Sequence, residues 1–373
     1  MASGHPWIFS SDVLDRGQAA AGDAVLVIDP KGAALGVAHY SDRSQISLRM
    51  LADHVQTIDR AFYLGRIAAA QAHRKRVVAG SNAYRLVHAE ADLLPGLIID
   101  RYADYFSVQT LDQGMDRAKR EIASCLEELF APAGIVERND AVVRQREDLP
   151  LVSGVLAGQA PDSVAVEMNG LTLHADLLHG QKTGIFLDQR ENYLAARRYA
   201  RGRALDCFSS TGGFALHLAR NCESVEAIDS SATSLRAAER NRVTNQIANI
   251  DFREADVFEL LAGYAAAHRR FDVVILDPPA FAKSRGNLEA ATRGYKEINR
   301  RALELLDTGG ILVTCSCSHH LSEASLLEIV AAASLDTHRT LRVLERRTQA
   351  QDHPILLTVP ETMYLKCLIL EVL

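Results

Sequence analysis

Two cysteines stand one residue apart at the end of a stretch that reads as a buried strand. Residues 309–320 run GGILVTCSCSHH, so the apolar residues lead into Cys315, Cys317 and two histidines. A thiolate at such a strand end is a candidate nucleophile, since covalent catalysis commonly uses cysteine. The alternatives are a metal site, a redox pair and packing, because free cysteine is commonly buried.

Metal binding and a disulfide explain this segment less well. A structural zinc ion needs four converging ligands, and Cys-x-Cys with His319 and His320 on one loop cannot supply them unaided. A disulfide between residues two apart would be strained. We therefore predict no metal site. Cys315 and Cys317 share a face of an extended strand, so spacing alone does not choose the nucleophile.

A carboxylate and two prolines end a second apolar run, FDVVILDPPAF at residues 271–281. Pro278 and Pro279 donate no N–H and stiffen the loop, so its carbonyl groups point at whatever binds there. A flat base or amide could stack against Pro279 and Phe281 while Asp277 bonds to its polar edge. We predict that Asp277 contacts the substrate.

Three further strand ends carry acidic residues of the kind that hold a nucleoside. Asp206 ends the strand in LDCFSSTGGFAL, Asp229 ends the strand in EAIDSS, and Asp256 follows the strand in READV. An acid placed like Asp229 accepts hydrogen bonds from both ribose hydroxyls, and Asp256 could face an adenine amino group. Small residues beside these ends let the backbone approach a ligand. The small candidates are Ser209, Thr211, Gly212 and Ser230.

S-adenosylmethionine fits these strand ends better than two other cofactors. A nicotinamide dinucleotide would require Gly-x-Gly-x-x-Gly on the first turn, where only Gly212-Gly213 is present. A nucleoside triphosphate would require a P-loop, and the nearest match, GQKTG at residues 180–184, has the wrong spacing and precedes the first strand. S-adenosylmethionine has a ribose and an adenine but no pyrophosphate, so acids and a tight turn suffice.

The elements that position these residues alternate between strands and helices from about Arg203 onwards. That rhythm predicts an α/β fold with βαβ units and a mostly parallel sheet, closed by an antiparallel hairpin at the chain end. Residues 1–53 read as short strands, with a hairpin around Pro30-Lys31-Gly32. A helix from about Thr57 to Val78 follows. Two strands, a helix from about Met115 to Phe130 and more strands then form an α+β region.

Composition indicates an ordinary globular protein. The 373 residues carry a formal net charge of −6, and no run of about 18 apolar residues predicts a membrane span. Six scattered cysteines and the lack of a secretory signal favour a reducing cytoplasm. Two basic clusters, at residues 74–76 and 197–203, leave phosphate binding open despite the acidic balance.

Four motifs together resemble one family. LDCFSSTGGFAL, LDPPAFAKS, GGILVTCSCS and GQKTGIFLDQREN are similar to the class I methyltransferases that form 5-methylcytosine in large-subunit (23S) ribosomal RNA. HPWIFSS resembles the opening of that family's RNA-binding PUA domain, and QDHP and ETMYLK resemble further signatures. The resemblance implies a PUA-like domain at residues 1–55, a central β-β-α-β-β domain at 56–172, and a Rossmann-like methyltransferase domain with a seven-stranded sheet at 173–373.

The resemblance also implies roles for single residues. The family's nucleophile lies in Ser-Cys-Ser, which is Ser316-Cys317-Ser318 here, so Cys317 is the expected nucleophile and Cys315 the packing residue. Asp277 would hold nitrogen-3 and the amino group of the cytosine. The segment KTGIFLDQR at 182–190 would wall the cofactor pocket near the methionine end or the base, through Phe186, Asp188 and Arg190.

Two departures from the family pattern bear on function. MASG stands where a basic stretch usually precedes His-Pro-Trp, so some RNA contacts are expected to be missing. Ala280 stands where many RNA cytosine methyltransferases have the cysteine that releases product, so release here would need another base. The expected partner is 23S ribosomal RNA, with no membrane, and a homodimer is possible.

Two other functions stay open at this point. Methyl transfer to an exocyclic amine or a protein amide also uses a proline-rich loop, but usually with an aromatic residue where Ala280 stands. A non-catalytic RNA-binding assembly factor would retain only a relict pocket, which the intact acids Asp206, Asp229 and Asp277 argue against.

Overall fold

The computed structural model describes residues 4–180, 183–281, 286 and 288–373. Residues 1–3 and Lys182, which the resemblance had singled out, lie outside these ranges. The chain forms two compact units. The first comprises residues 1–170, 175–187 and 351–362; the second comprises residues 171–174, 188–350 and 363–373. No helix within the described ranges is long and apolar enough to cross a membrane.

The first unit begins with a small antiparallel sheet. Its strands lie in the order β1-β4-β3-β2, and their bounds are β1 (Trp7–Phe9), β2 (Ala24–Ile28), β3 (Ala34–Tyr40) and β4 (Ile46–Ala52). The hairpin predicted around Gly32 is confirmed, because β2 pairs antiparallel with β3. Asp29 accepts hydrogen bonds from the backbone of Lys31 and Ala33, and Gly32 takes a φ of 84° that suits glycine.

A mixed five-stranded sheet with two helices completes the described core of the first unit. The elements are α1 (Arg60–Val77), β5 (Ala83–His88), β6 (Leu97–Tyr102), β7 (Tyr105–Thr110), α2 (Gln113–Phe130), β8 (Gly134–Asn139) and β9 (Val152–Gly158). The strands lie in the order β5-β6-β7-β8-β9. Helix α1 starts later than expected because Asp59 caps it, accepting from the Phe62 N–H at 3.1 Å.

The structure has three strands between α1 and α2, where the sequence interpretation had two. The run GLIIDRYADYFSVQTL folds back on itself because Ala103 takes a left-handed backbone conformation, with φ of 53°. Strands β6 and β7 therefore pair antiparallel around this turn. Alanine has little intrinsic preference for this conformation, so the residue type did not predict the turn.

The second unit is built on a seven-stranded sheet, as predicted. Two short strands, β10 (Val164–Met168) and β11 (Leu171–Ala175), precede this sheet in the chain and are not part of it. The elements that follow are, in chain order, α3 (Arg190–Arg197), β12 (Arg203–Cys207), α4 (Gly213–Leu218), β13 (Ser224–Asp229), α5 (Ala232–Thr244), β14 (Ile250–Glu254), α6 (Val257–Ala266), β15 (Phe271–Leu276), α7 (Leu288–Glu304), β16 (Leu306–Ser316), α8 (Glu323–Asp336), β17 (Leu341–Arg347) and β18 (Lys366–Val372). The strand order is β14-β13-β12-β15-β16-β18-β17.

The sheet is mostly parallel and buried. Strands β14 to β16 pair in parallel, whereas β18 pairs antiparallel with both β16 and β17, which confirms the predicted closing hairpin. Residues such as Leu205, Val274, Leu312 and Leu368 are fully buried in one core cluster. Continuous apolar strands of this kind are what a sheet covered on both faces requires. The second unit therefore has the predicted Rossmann-like α/β fold.

Candidate active site

The carboxyl ends of four neighbouring strands meet at one edge of the second unit's sheet. β13, β12, β15 and β16 lie side by side, and the register pairs Cys207 with Ile228 and Leu276, and Leu276 with Thr314. Ligands of open α/β sheets bind at such an edge, where the strand order reverses. The structure therefore brings together Asp206, Asp229, Asp277 and the segment that holds Cys317.

The turn after β12 is folded by left-handed backbone. The φ angles are 64° at Phe208, 48° at Ser210 and 85° at Gly212, a region that suits glycine and strains other residues. A Cβ atom on Gly213 would lie only 2.4 Å from the ring of Tyr193. Close approach of the turn to α3 therefore requires glycine at that position.

Asp206, the second-last residue of β12, is a fully buried carboxyl group. Its Oδ2 accepts a hydrogen bond from the Ala215 N–H at 2.9 Å, and its Oδ1 has no partner among the described residues. Burial, reinforced by the Asp277 and Asp229 carboxyl groups, raises the pKa of Asp206 well above its ordinary value. An ionised Asp206 is therefore costly unless a cation binds beside it.

Two hydroxyl groups of the same turn are also buried. Oγ of Ser209 and Oγ of Ser210 have no hydrogen-bond partner within the described part of the chain. Thr211 holds the turn in place through its carbonyl oxygen, which accepts from Nδ2 of Asn241 at 3.1 Å. Buried polar groups are normally paired, so these hydroxyls mark a place where a ligand would complete the bonding.

Asp229 is oriented by two backbone amides. Its Oδ2 accepts from the Ser210 N–H at 2.9 Å and its Oδ1 from the Ser231 N–H at 2.8 Å. Each carboxylate oxygen retains a further lone pair, so a fixed Asp229 can still accept from ribose hydroxyls. Ser230 beside it is exposed. Asp256 is also exposed and caps α6, accepting from the Glu259 N–H at 3.0 Å.

Asp277 is held by a chain of side-chain hydrogen bonds. Its Oδ1 accepts from Nε2 of Gln189 at 3.0 Å. Oε1 of Gln189 accepts from Nδ2 of Asn192 at 2.7 Å, and Oδ1 of Asn192 accepts from Nε of Arg347 at 2.8 Å. The carboxyl group at the end of β15 is therefore oriented by residues of α3 and β17.

Two of the three residues added by the resemblance lie in the second unit. Asp188 is buried, and its Oδ2 accepts from the Tyr364 hydroxyl at 2.8 Å. Arg190 is buried at the start of α3 and donates to Oε1 of Glu191 at 3.3 Å. Phe186 lies in the first unit, where it is half-buried.

Cys315 is enclosed within the sheet. It lies opposite Cys367 of β18 and is fully buried. Burial, together with the neighbouring Cys367 thiol, raises the pKa of Cys315 well above its ordinary value. Because the thiolate is the nucleophilic form, this environment suits a packing role.

Cys317 has different surroundings, because β16 ends at Ser316 and the two cysteines do not share an extended strand. Cys317 is half-buried. The Tyr295 hydroxyl bonds to Oγ of Ser316 at 2.9 Å and to Oγ of Ser318 at 3.1 Å. Both neighbours of Cys317 are therefore fixed by one residue of α7.

A buried lysine lies beside the same segment. Nζ of Lys366 donates to the carbonyl oxygens of Ser318 at 2.7 Å and of Tyr364 at 2.9 Å, and its residue is 3% exposed. Burial lowers the pKa of Lys366 to about 8, while the charge of Cys317 acts in the opposite direction. An ammonium group near a thiol favours its thiolate.

The loop after β15 only partly fits the stacking role expected of it. Pro278 is buried and Pro279 is exposed. The Phe281 ring packs into the core, 4.7 Å from the Tyr295 ring and 6.0 Å from the Phe258 ring, centroid to centroid. Of the two residues expected to stack on a base, Pro279 and Phe281, Pro279 is therefore the exposed one. Residues 282–285 lie outside the described ranges.

The basic cluster at residues 74–76 is divided between structure and surface. Arg74 is 1% exposed and forms a two-pronged ion pair with Asp92, with one N–O distance of 2.7 Å. It also donates to the Asp352 carbonyl at 2.8 Å. Lys75 and Arg76 are exposed. Arg74 therefore holds the first unit together and is not available to a phosphate.

Comparison with known proteins decides the family. Residues 97–368 match a family model described as S-adenosylmethionine-dependent methyltransferase, and residues 1–53 match a PUA-like domain model. The chain belongs to the S-adenosylmethionine-dependent methyltransferase family. A "Ribosomal RNA large subunit methyltransferase I" of Shewanella amazonensis is 42% identical over 377 aligned residues, which cover 99% of this methyltransferase and 95% of the relative.

Solved structures share the fold of this methyltransferase. A Streptococcus mutans protein described as an S-adenosylmethionine-dependent methyltransferase superimposes with a TM-score of 0.84 at 20% identity, covering 100% of this chain and 96% of that one. A methyltransferase structure complexed with SAH gives a TM-score of 0.85 at 20% identity, with the same coverage.

The residues at the sheet edge fit S-adenosylmethionine, the cofactor of this methyltransferase. Asp206 is a buried carboxyl group that a cation would stabilise, and the cofactor carries an ammonium and a sulfonium group. Asp229 is held by two backbone amides and keeps lone pairs that ribose hydroxyls could use, and the Ser209 and Ser210 hydroxyls have no partner among the described residues. The cofactor supplies an electrophilic methyl group when bound.

Sequence interpretation of this methyltransferase missed the residues that orient the site from a distance. Gln189 directly precedes α3, whereas Tyr295 and Lys366 lie in α7 and β18, and all three are distant in sequence from the residues they hold. Lys366 had a visible signal, since a lysine within the apolar run YLKCLIL of a buried strand needs a partner. Gln189 and Tyr295 had none, because their bonds depend on which strands become neighbours.

Proposed function

We propose that this methyltransferase forms 5-methylcytosine in 23S ribosomal RNA, with Cys317 as a covalent nucleophile and Asp277 as the residue that holds the base. The observation that carries the proposal is the arrangement around Cys317. The half-buried Cys317 directly follows β16, which pairs with β15, the strand that precedes Asp277, and the buried Lys366 ammonium group donates to the carbonyl of Ser318, the next residue. The name of the 42% identical relative supports the RNA substrate.

The proposed reaction uses this chain's residues at three points. The Cys317 thiolate adds to carbon 6 of the cytosine, and the electron pair of the 5,6 double bond makes carbon 5 nucleophilic towards the methyl group. Asp277 bonds to nitrogen 3 and the amino group and so stabilises the adduct. Carbon 5 then loses its proton, the pair re-forms the double bond, and the sulfur–carbon bond breaks. Ala280 has no acid–base group, so another base takes that proton.

We assign the remaining roles by the same reasoning. Asp206, Ser209, Thr211, Gly212, Asp229, Ser230 and Asp256 would hold the cofactor, together with Asp277, Phe186, Asp188 and Arg190. The chain would divide into an RNA-binding PUA-like domain at residues 1–55, a central domain at 56–172 and the methyltransferase domain at 173–373. The target cytosine must leave any base stack to reach the site.

The test is methylation of 23S ribosomal RNA taken from cells that lack this protein. We expect purified wild-type protein and S-adenosylmethionine to add one methyl group at a single cytosine, seen as protection in bisulfite sequencing. The Asp277→Asn variant, which keeps the size of the side chain, should lose at least a hundredfold in rate. Methylation of an adenine or guanine, or of protein, in place of cytosine would overturn the proposal.

A further inference from the structure

A pocket of about 680 Å³ lies within the first unit. Its wall includes Phe9 at the end of β1, Arg43 and Ile46 around the β3–β4 turn, and Val143 and Arg146 of a short helical segment. Small-molecule sites have volumes of about 300–1,000 Å³, so the pocket is large enough for one nucleotide.

The charged groups of this pocket leave a surplus of positive charge. Glu147 is fully engaged, because its Oε1 accepts from Nη2 of Arg49 at 2.7 Å and its Oε2 from the Ser41 hydroxyl at 2.6 Å. Arg146 is exposed and forms no ion pair with any described residue. An incoming anion therefore meets an uncompensated guanidinium group.

Arg43 adds a second cation that is only loosely held. Its Nε lies 3.7 Å from Oδ1 of Asp42 and 3.6 Å from Oδ2 of Asp148, beyond hydrogen-bonding distance, and its side chain is 58% exposed. Exposed pairs of this kind contribute little, about 0–1 kcal/mol. A phosphate could therefore replace the two carboxylates with closer contacts.

The pocket also presents an aromatic surface. Phe9 is 44% exposed, and Val143, another residue of the pocket wall, is also 44% exposed. Stacking of an aromatic side chain on a nucleobase tolerates any base, because every base has a π-face. An exposed ring and two arginines in the wall of one pocket supply what single-stranded nucleic acids require: a platform for the base and cations for the backbone.

We propose that this pocket binds one unpaired nucleotide of single-stranded RNA, with its base against Phe9 and its phosphate between Arg43 and Arg146. The inference rests on the proposed function for its choice of RNA as the ligand. It adds a second anchoring point for the substrate, in the first unit.

The test compares two ligands on the full-length protein: a short oligouridylate, and an oligomer of the same length and charge that lacks bases. Phe9→Ala should weaken oligouridylate binding roughly 5- to 150-fold and leave the base-free oligomer unaffected. Phe9→Trp should restore the preference for bases. Arg146→Ala should weaken both ligands and lower the slope of log K against log salt by about 0.7.

Arg16→Ala is the matched control, since Arg16 is an exposed arginine of the first unit that does not line the pocket. It should leave both affinities near wild type. An unchanged preference for bases in Phe9→Ala, or equal losses in Arg146→Ala and Arg16→Ala, would overturn the inference. Wild-type methylation of ribosomal RNA is measured alongside: if it is absent while the pocket variants behave as expected, the proposed function fails and the pocket stands.

Discussion

Cys315 and Cys317 have the same functional group, and their surroundings give them different chemistry. Cys315 is sealed between strands, and its pKa is raised by burial. Cys317 lies past the strand end, where Tyr295 fixes both of its neighbours and Lys366 provides a nearby positive charge. In the proposed mechanism, the choice of Cys317 as nucleophile therefore depends on where β16 ends.

The role of Lys366 predicts a change in the reactivity of Cys317. Burial lowers the pKa of Lys366 to about 8, so the ammonium form is present below that pH and is lost above it. Lys366→Met should slow alkylation of Cys317 by iodoacetamide about fivefold at pH 7, on the order of 1 kcal/mol. Wild type and variant should converge well above pH 8.

Lys366→Arg is the control for that experiment, because it retains a positive charge at every pH used. It should alkylate like the wild type at pH 7. Equal alkylation rates for the Met variant and the wild type below pH 8 would show that Lys366 acts only as a structural support. Peptide mass mapping distinguishes Cys317 from the five other cysteines.

We expect the charge of Asp206 to lower the stability of the cofactor-free protein and to strengthen cofactor binding. Because burial raises the folded-state pKa of this acid, its ionisation destabilises the cofactor-free protein as pH rises above about 4. Asp206→Asn removes that charge and should raise Tm at pH 7, by about 2–4 °C for each kcal/mol gained. The same variant should bind S-adenosylmethionine at least tenfold more weakly. Unchanged affinity in a calorimetric titration would contradict this role.

At the scale of elements, the site depends on how closely the turn after β12 approaches α3. Gly213 lies against the Tyr193 ring, and Gly212 takes the left-handed conformation that begins α4. The sequence motif predicted a tight glycine turn here. It did not predict the contact with Tyr193. Tyr193 belongs to α3, and the alternation of strands and helices in the sequence does not show where that helix packs.

Gly213→Ala should destabilise the protein by about 1–3 kcal/mol, because the added methyl group would overlap the Tyr193 ring. Gly263→Ala is the matched control: Gly263 lies in α6 with no atom within 4 Å of an added Cβ. That change should stabilise by about 0.5–1 kcal/mol, since alanine favours helix. Denaturant unfolding of both variants tests the prediction, and equal stabilities would refute it.

The sequence predicted those elements whose local pattern agrees with their environment. Buried apolar strands β12, β13 and β15, each ending in an acid, were read correctly because both signals are local. The β6–β7 turn at Ala103 was not, because nothing in the residue type requires it. The hydrogen bond from Gln189 to Asp277 joins positions 88 residues apart, so only the tertiary fold reveals it.

For the whole molecule, a net charge of −6 means that any grip on RNA must come from local groups of basic residues. Within such a cluster, buried residues stabilise the fold and exposed residues remain available to a phosphate. Arg74 is committed to Asp92, whereas its neighbour Lys75 is exposed. Deleting residues 1–53 would be a poor test of RNA binding, because it would also strip Glu147 of its buried partners Arg49 and Ser41.

Arg74→Ala should cost about 3–5 kcal/mol of stability, since it leaves the Asp92 carboxylate, whose side chain is only 7% exposed, without its ion-pair partner. Lys75→Ala should change stability by less than about 0.5 kcal/mol. If Lys75 contacts a phosphate, its loss should lower the slope of log K against log salt for ribosomal RNA by about 0.7. Similar unfolding curves for the two variants would contradict the division of roles.

The central claim is that Cys317 forms a covalent bond to the target cytosine. The most direct measurement uses ribosomal RNA that carries 5-fluorocytosine at the target, where fluorine replaces the proton that must leave carbon 5. In the presence of S-adenosylmethionine, wild type and Cys315→Ala should form a complex that survives denaturing electrophoresis, and Cys317→Ala should form none. Trapping by Cys317→Ala, or full methyl transfer to normal RNA by the double Cys→Ala variant, would contradict the account.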